Sequence, residues 1–229
     1  MNHFPRAALL VIDMQNGFLN PDSAQCIRMA AATVPACAAA IQKARALKIP
    51  VFYIKRQYRM DGTDVELCRY TSWKAGGCAM APGSHGPISE EFPPELQPQD
   101  TDYLVVKPRF SAFFATPLDM ILRRMGVDTV LLTGTTTPNC IRTTCYDALS
   151  LDYTVAVLPE CCSSQTEAIQ QANLQDMETI GAMMLPLSDF LEQGVSSFLP
   201  HWEKEQTARQ AIVNQSGFWA GQKEEPSAL

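Results

Sequence analysis

The sequence lacks a stripe of basic residues: its 18 lysines and arginines are scattered and outnumbered by 24 aspartates and glutamates, which gives a formal net charge of −6. Nucleic acid and anionic membrane surfaces are therefore not expected as partners. Long apolar runs are also missing. The first run, residues 7–12, ends at Asp13, which fits neither the core of a signal peptide nor a membrane span. We expect a cytoplasmic protein with no membrane partner.

Residue spacings typical of metal and redox sites are missing as well. No two of the eight cysteines are in Cys-x-x-Cys spacing, and the only histidines are His3, His85 and His201. A zinc knuckle and a thioredoxin-type motif are therefore not predicted. A chain of 229 residues can bury a sizeable apolar core, so it does not need a disulfide framework. We expect mostly buried thiols and no metal or other cofactor.

Short apolar runs recur along the chain and alternate with helical patterns. Runs without polar alternation are typical of strands that are covered on both faces, as in a parallel sheet. The runs are residues 7–13, 51–56, 102–107, 129–134, 153–158 and 182–187, and the helical patterns are at about 25–48, 116–126, 138–151 and 165–181. The alternation predicts an α/β fold: a three-layer α/β/α sandwich with a six-stranded, mostly parallel sheet.

Two regions depart from this alternation. Residues 57–101 read as a long loop rich in Gly and Pro, and because such loops are often functional, we expect this one to border a pocket. After about residue 195 the pattern fades. We therefore predict a domain over 1–195 and a tail over 196–229 with a short helix near 202–213. For the end of the tail, an oligomer contact through Phe218 and Trp219 and disorder are the two alternatives.

Three strand ends carry reactive side chains, and ligands of parallel α/β sheets bind at that edge. Asp13 follows the first run, Lys107 ends the third, and Cys140 lies just beyond the fourth. With Thr137 as N-cap and Pro138 in the first helical position, Cys140 lies in the first turn of a helix, whose free N–H groups stabilise a thiolate. Since no histidine ends a strand, Asp13 is the candidate proton acceptor and Lys107 the candidate charge stabiliser. A turn aspartate and a solvated lysine remain the alternatives for these two residues.

The stretches "LLVIDMQNGFL", "VVKPRFSAFFATPLDM" and "TVLLTGTTTPNCIRTTCYDALSLDYTVAVLPECCSS" resemble the isochorismatase-like cysteine hydrolase superfamily over residues 7–190. The resemblance implies a catalytic triad of Cys140, Asp13 and Lys107. It also implies a cis peptide between Thr135 and Thr136 and an oxyanion hole made by the N–H groups of Thr136 and Cys140.

The cysteine at the nucleophile position indicates which branch the sequence resembles. Isochorismatases proper lack a cysteine there, so its presence points to hydrolysis of a C–N bond in a small amide. Nicotinamidases hold a metal through an Asp-x-His pair after the second strand, whereas "QYRMDGTDVELCRY" has Asp61 and Asp64 but no histidine. The sequence is instead similar to N-carbamoylsarcosine, biuret and ureidoacrylate hydrolases. A vinyl-ether or other non-amide hydrolase and a non-catalytic binding protein are the alternatives.

Several side chains are candidates for substrate binding. Arg56, Arg59 and Arg69 could hold a substrate carboxylate, or could be surface residues. Phe18, Trp73 and Phe110 are candidates for the pocket wall. The resemblance further implies a homodimer or homotetramer that acts on a small-molecule amide.

Overall fold

The computed structural model describes residues 4–84 and 89–216. In these ranges six strands form a single sheet in the order β3-β2-β1-β4-β5-β6, and every neighbouring pair is parallel. This confirms the predicted six-stranded sheet. The prediction was a mostly parallel sheet, and all the strand pairs are parallel. The strands are β1 (Ala7–Ile12), β2 (Val51–Arg56), β3 (Tyr103–Lys107), β4 (Thr129–Thr135), β5 (Thr154–Ser163) and β6 (Met183–Met184).

Helices cover both faces of the sheet. Apolar side chains of α2 and α7 pack on one face, and those of α4, α5 and α6 pack on the other. The result is the predicted three-layer α/β/α sandwich. Of the helices in the described ranges, none is both long and apolar enough to cross a membrane. The helices are α1 (Asn16–Leu19), α2 (Val34–Ala46), α3 (Leu67–Ala75), α4 (Leu118–Arg124), α5 (Arg142–Ser150), α6 (Glu167–Thr179), α7 (Leu187–Gln193) and α8 (Leu199–Ser216).

The strand register brings the candidate residues to one edge of the sheet. Ile12 at the end of β1 is level with Ile54 of β2 and with Gly134 of β4. Arg56 and Lys107, the last residues of β2 and β3, are level with each other. The chain adds β2 and β3 on one side of β1 and then places β4 on the other, so the strand order reverses at β1 and β4. Ligands of open α/β sheets bind at such a reversal.

Three sequence predictions of secondary structure need correction. The helix predicted from residue 25 begins at Val34, because Pro35 lacks an N–H and is tolerated only in the first turn. The segment 57–101 is not a continuous loop, since it contains α3, in which Trp73 is the buried residue and the apolar pattern is correspondingly weak. The tail helix is longer than predicted and extends over Leu199–Ser216. Phe218 and Trp219 lie outside the described residues.

Candidate active site

Asp13 and Lys107 form a buried ion pair at the carboxyl edge of the sheet. Asp13 follows β1 with φ of 53°, a left-handed conformation in which Asp is enriched, and its N–H donates to Ile54 O at 2.9 Å. Lys107 has no exposed surface. Its Nζ donates to Asp13 Oδ2 at 2.8 Å and to Arg109 O at 3.0 Å. The pairing and these hydrogen bonds offset the cost of burying two polar groups, which is high for a group left without a partner.

Cys140 lies in a π-helical turn, Thr137–Ile141, that leads into α5. The turn begins after Thr136, which is in the N-cap position, and the peptide bond between Thr135 and Thr136 is cis. The prediction of Thr137 as N-cap was therefore wrong by one residue. In the π-helical turn the Ile141 N–H reaches back to Thr136 O, at 3.3 Å, so the turn holds one residue more than an α-helical turn would.

The threonines before Cys140 tie this turn to the end of β5. Thr136 Oγ1 and Thr137 Oγ1 both donate to Ser163 O, at 3.1 and 3.0 Å, and Ser163 Oγ donates to Thr135 Oγ1 at 2.9 Å. Within the described part of the chain, the Thr136 N–H has no hydrogen-bond acceptor. The side chains of this segment are thus engaged in fixing the backbone, and one backbone donor stays available beside Cys140.

A third charged group, Arg56, joins the two halves of the site. Its Nη2 donates to Cys140 Sγ at 3.4 Å, and its Nε is 3.9 Å from Asp13 Oδ2. Arg56 is 1% exposed and Cys140 is 4% exposed. The four side chains therefore form a continuous buried series in the order Lys107, Asp13, Arg56, Cys140.

Glu66 and Tyr58 hold the far side of the Arg56 guanidinium. Arg56 Nη1 is 2.8 Å from Glu66 Oε1, 2.9 Å from Tyr58 Oη and 3.2 Å from Pro108 O, and Tyr58 Oη donates to Glu66 Oε2 at 2.8 Å. Burial disfavours both charges. Electrostatic interaction with the neighbouring Cys140 and Asp13 groups nevertheless raises the pKa of Arg56, and the Arg56 charge with the Tyr58 hydrogen bond lowers the pKa of Glu66. Both groups are therefore ionised at neutral pH.

Gln15 fixes the backbone that carries Arg56. Its Oε1 accepts from the Arg56 N–H at 2.7 Å, and its Nε2 donates to Arg56 O at 2.9 Å and to Glu90 O at 3.0 Å. Gln15 has no exposed surface. A fully buried amide whose donor and acceptor are both used is a rigid clamp between the end of β1 and the end of β2.

Arg69 and Phe110 border the site from α3 and from the segment after β3. The Arg69 guanidinium lies 4.8 Å from the centre of the Phe110 ring, and Arg56 lies 5.4 Å from it. In the amide orientation that satisfies its neighbours, Asn139 accepts from Arg69 Nη2 at 3.2 Å. No carboxylate of the described ranges pairs with Arg69. These two sequence candidates therefore lie next to the residues around Cys140.

The other predicted substrate-binding residues lie elsewhere. Phe18 and Trp73 are 8% and 2% exposed and belong to an apolar cluster with Tyr58, so they support the residue that holds Arg56. Trp73 Nε1 is also satisfied by Ala79 O, at 2.8 Å. The Arg59 side chain is 68% exposed and pairs with Asp61 at 3.3 Å. The structure therefore does not bring Arg59 to the residues around Cys140, because this exposed carboxylate already holds its guanidinium.

Sequence reasoning missed how Arg56 is used and did not single out Glu66 or Gln15. The sequence suggests a substrate-carboxylate partner or a surface position for Arg56, whereas the structure buries it beside Cys140. The signal that identifies Lys107, a cation at the end of an apolar strand, applies equally to Arg56 at the end of "VFYIKR". In the described ranges no cluster of three or more His, Cys, Asp or Glu side chains could hold a metal ion, and His85 lies outside them.

The parallel sheet, the strand-order reversal and the buried Cys, Asp and Lys side chains at that edge form a candidate active site at the usual ligand-binding edge of an open α/β sheet. The chain belongs to the isochorismatase domain family, whose model matches residues 7–189. It is thus a hydrolase of that family, and its resemblance to the family, stated from the sequence motifs, is confirmed.

Individual relatives indicate the branch of the family to which this chain is similar. It is 37% identical over 191 residues to a "probable inactive nicotinamidase" of Arabidopsis thaliana, covering 81% of this chain and 95% of the relative. It is 30% identical to the ureidoacrylate amidohydrolase of Pantoea ananatis, covering 82% and 81%. The crystal structure of an isochorismatase family protein from Desulfovibrio vulgaris matches with a TM-score of 0.77 and 40% identity, covering 81% and 96%. These relatives are consistent with the amidohydrolase branch.

Proposed function

We propose that this protein is a cysteine-dependent hydrolase that cleaves a C–N amide bond in a small carbamoyl, ureido or carboxamide compound. The observation that carries the proposal is the buried series of Lys107, Asp13, Arg56 and Cys140, which couples a proton acceptor to a thiol through fixed charges. The ureidoacrylate amidohydrolase among the relatives supports the amide as the bond cleaved.

The first half of the reaction forms a thioester. Asp13 takes the proton of the Cys140 thiol, and the thiolate attacks the amide carbon to form a C–S bond. The carbonyl oxygen becomes an oxyanion, which accepts hydrogen bonds from the N–H groups of Thr136 and Cys140. When the oxyanion collapses, the C–N bond breaks and the leaving nitrogen takes the proton from Asp13.

The second half releases the acid and restores the thiol. Water gives a proton to Asp13 and attacks the thioester carbon. Collapse of the second oxyanion breaks the C–S bond, and the proton on Asp13 returns to the Cys140 sulfur. The sum is one amide and one water converted to one carboxylic or carbamic acid and one ammonia or amine. Lys107 keeps Asp13 oriented throughout, because it is held by Asp13 Oδ2 and Arg109 O.

The positions of Arg69 and Phe110 support a preference of the proposed enzyme for substrates that carry a carboxylate. Arg69 is half-buried, stacks on Phe110 and has no carboxylate partner in the described ranges. A guanidinium fixed in this way binds carboxylates bidentately. Carbamoyl or ureido compounds that also carry a carboxylate should therefore be preferred. Arg69→Met should raise KM for such acids and leave KM for uncharged amides unchanged, with the exposed Arg123→Met as the matched control.

Ammonia release from a panel of ureido acids, N-carbamoyl amino acids, biuret and nicotinamide tests the proposal. The wild type, Cys140→Ala and Cys145→Ala are each assayed with and without EDTA. Cys145 is the matched control because burial, with a smaller contribution from Asp176, raises its pKa to about 12, so its thiol stays protonated at neutral pH. We expect activity that resists EDTA, is lost in Cys140→Ala and is retained in Cys145→Ala.

The main alternative is a non-catalytic protein on the same fold, which the name of the Arabidopsis relative suggests. If no compound of the panel releases ammonia and the Cys140 thiol is unreactive, that alternative is supported. Activity that persists in Cys140→Ala would refute cysteine catalysis. Cleavage of vinyl ethers or esters without cleavage of any amide would refute the proposed bond type.

A further inference from the structure

Arg56 donates a hydrogen bond to the candidate nucleophile, Cys140. The hydrogen-bond partners of Lys107 Nζ are Asp13 Oδ2 and Arg109 O, and Cys140 Sγ is not among them. Arg56 Nη2, in contrast, donates to Cys140 Sγ at 3.4 Å. Both cations lie near Asp13, but of the two it is Arg56 that also donates to the sulfur.

The fold fixes Arg56 in this position from three sides. Glu66, Tyr58 and Pro108 O accept from Nη1, and Gln15 clamps the backbone N–H and C=O of Arg56. A long side chain that is held at both ends loses little further entropy when the charge next to it changes. The arrangement is that of a preorganised electrostatic group, which requires no movement when a thiolate forms.

The charge balance of the site agrees with this role. With a neutral thiol, the positive charges of Lys107 and Arg56 balance the negative charges of Asp13 and Glu66. Transfer of the Cys140 proton to Asp13 keeps the net charge at zero but moves a negative charge from the carboxylate to the sulfur. Lys107 contacts only the carboxylate, which loses this charge, whereas Arg56 contacts both groups: its Nε is 3.9 Å from Asp13 Oδ2 and its Nη2 donates to Cys140 Sγ, so it lies next to the negative charge before and after the transfer.

We propose that Arg56 is a further catalytic residue of this enzyme, whose guanidinium stabilises the Cys140 thiolate and is held in place by Glu66, Tyr58 and Gln15. This inference rests on the proposed function only in that it names the thiolate as the reacting group. A substrate carboxylate is a poor partner for Arg56, because the side chain is 1% exposed and its Nη1 and Nη2 are already bonded to Glu66 and Cys140. A purely structural role for the Arg56–Glu66 pair is the competing explanation.

The pH dependence of Cys140 alkylation by iodoacetamide separates these two explanations. The rate is followed on the Cys140 peptide by mass spectrometry, in a Cys68→Ser background that removes the exposed thiol. The variants are Arg56→Met, which removes the charge, and Arg56→Lys, which keeps it. Arg45→Met is the matched control, because it removes the arginine of another ion pair, Arg45–Asp102, on the face of the sheet opposite α5.

Arg56→Met should move the midpoint of the profile to higher pH by about one unit or more, which is about a tenfold lower alkylation rate below the midpoint. Arg56→Lys should move it less, and Arg45→Met should not move it. Should Arg56→Met fail to fold because Glu66 is left unpaired, the double variant Arg56→Met/Glu66→Gln removes both charges and should show the same shift.

A folded Arg56→Met protein, or a folded double variant, with the wild-type profile would overturn the inference. An equal shift in Arg45→Met would also overturn it, since the effect would then come from general loosening of the fold. Alkylation requires no substrate, so the result is independent of whether any amide is cleaved. Amide turnover combined with an unshifted profile would refute this inference and leave the proposed function intact.

Discussion

Replacement of Gly134 by alanine should destabilise the fold and disable the site together. The φ of Gly134 is +117°, and an added Cβ would lie 2.0 Å from Ile12 O and 2.7 Å from Ile12 N. Ordinary carbon–oxygen contacts begin at about 3.3 Å, so β1 and β4 would have to separate locally by more than about 1 Å. Gly134 precedes Thr135 and Thr136, and Ile12 precedes Asp13, so the same movement separates Asp13 from Cys140, the proposed proton acceptor and nucleophile.

The expected loss of stability has two parts. A non-glycine residue at this φ costs about 1–3 kcal/mol. Overpacking against backbone costs about 1–3 kcal/mol more, because a strand in the middle of the sheet cannot move aside as a side chain can. The sum, about 2–6 kcal/mol, is a large part of the roughly 5–15 kcal/mol that stabilises a typical domain.

Gly181→Ala is the matched control for the conformational part. Gly181 has a φ of +116°, almost the same as Gly134, but nothing lies within 4 Å of its added Cβ. This variant should therefore lose only the conformational term, about 1–3 kcal/mol, and should keep the wild-type rate of Cys140 alkylation. The difference between the two variants measures the clash with Ile12.

Urea unfolding followed by circular dichroism gives the two free energies, and iodoacetamide labelling gives the state of the thiol. The reasoning is refuted if Gly134→Ala is no less stable than Gly181→Ala and labels Cys140 at the wild-type rate. If Gly134→Ala loses stability but labels Cys140 at the wild-type rate, the clash with Ile12 is supported. The claim that the substitution also disturbs the site is then refuted.

Two other predictions follow from the clamp around Arg56. Because the fold lowers the pKa of Glu66 from 4.5, the stability it contributes is present above that value and is lost as pH falls below it. Urea unfolding between about pH 5 and 3 should therefore show a shallower acid loss for Glu66→Gln than for the wild type, and parallel curves would contradict the ion pair. Gln15→Leu leaves the buried N–H and C=O of Arg56 and Glu90 O unpaired, so we expect a loss of about 3 kcal/mol or more, at roughly 1–3 kcal/mol per group. An unchanged urea midpoint would show that Gln15 is not a clamp.

The residues that the sequence identified share a simple signal. Asp13, Lys107 and Cys140 each follow an apolar run, and the carboxyl ends of parallel strands must meet at one edge. No knowledge of side-chain contacts is needed for that step. The structure accordingly brings Asp13 and Lys107 into direct contact and places Cys140 on the same buried series.

The residues that the sequence did not identify depend on how an irregular segment folds. Glu66 reaches Arg56 only because residues 57–66 turn back over the end of β2, and no periodic pattern encodes that path. The position of Thr137 was wrong by one residue because a π-helical turn holds one more residue than the assumed α-helical turn. Arg59 is exposed and Arg69 is half-buried, and the local sequence around these two arginines does not predict that difference.

On the proposed mechanism, the two cations explain which oxygen of Asp13 carries the proton. Lys107 occupies Oδ2, whereas Oδ1 is buried and has no hydrogen-bond partner among the described residues. Oδ1 is therefore the oxygen that can accept the thiol proton while Lys107 keeps its contact with Oδ2. The negative charge can then pass to Cys140, where Arg56 already faces the sulfur, so neither cation has to move. Arg56 and Lys107 are paired in register at the ends of the adjacent strands β2 and β3. A parallel sheet can in this way hold two fixed positive charges next to one reacting centre.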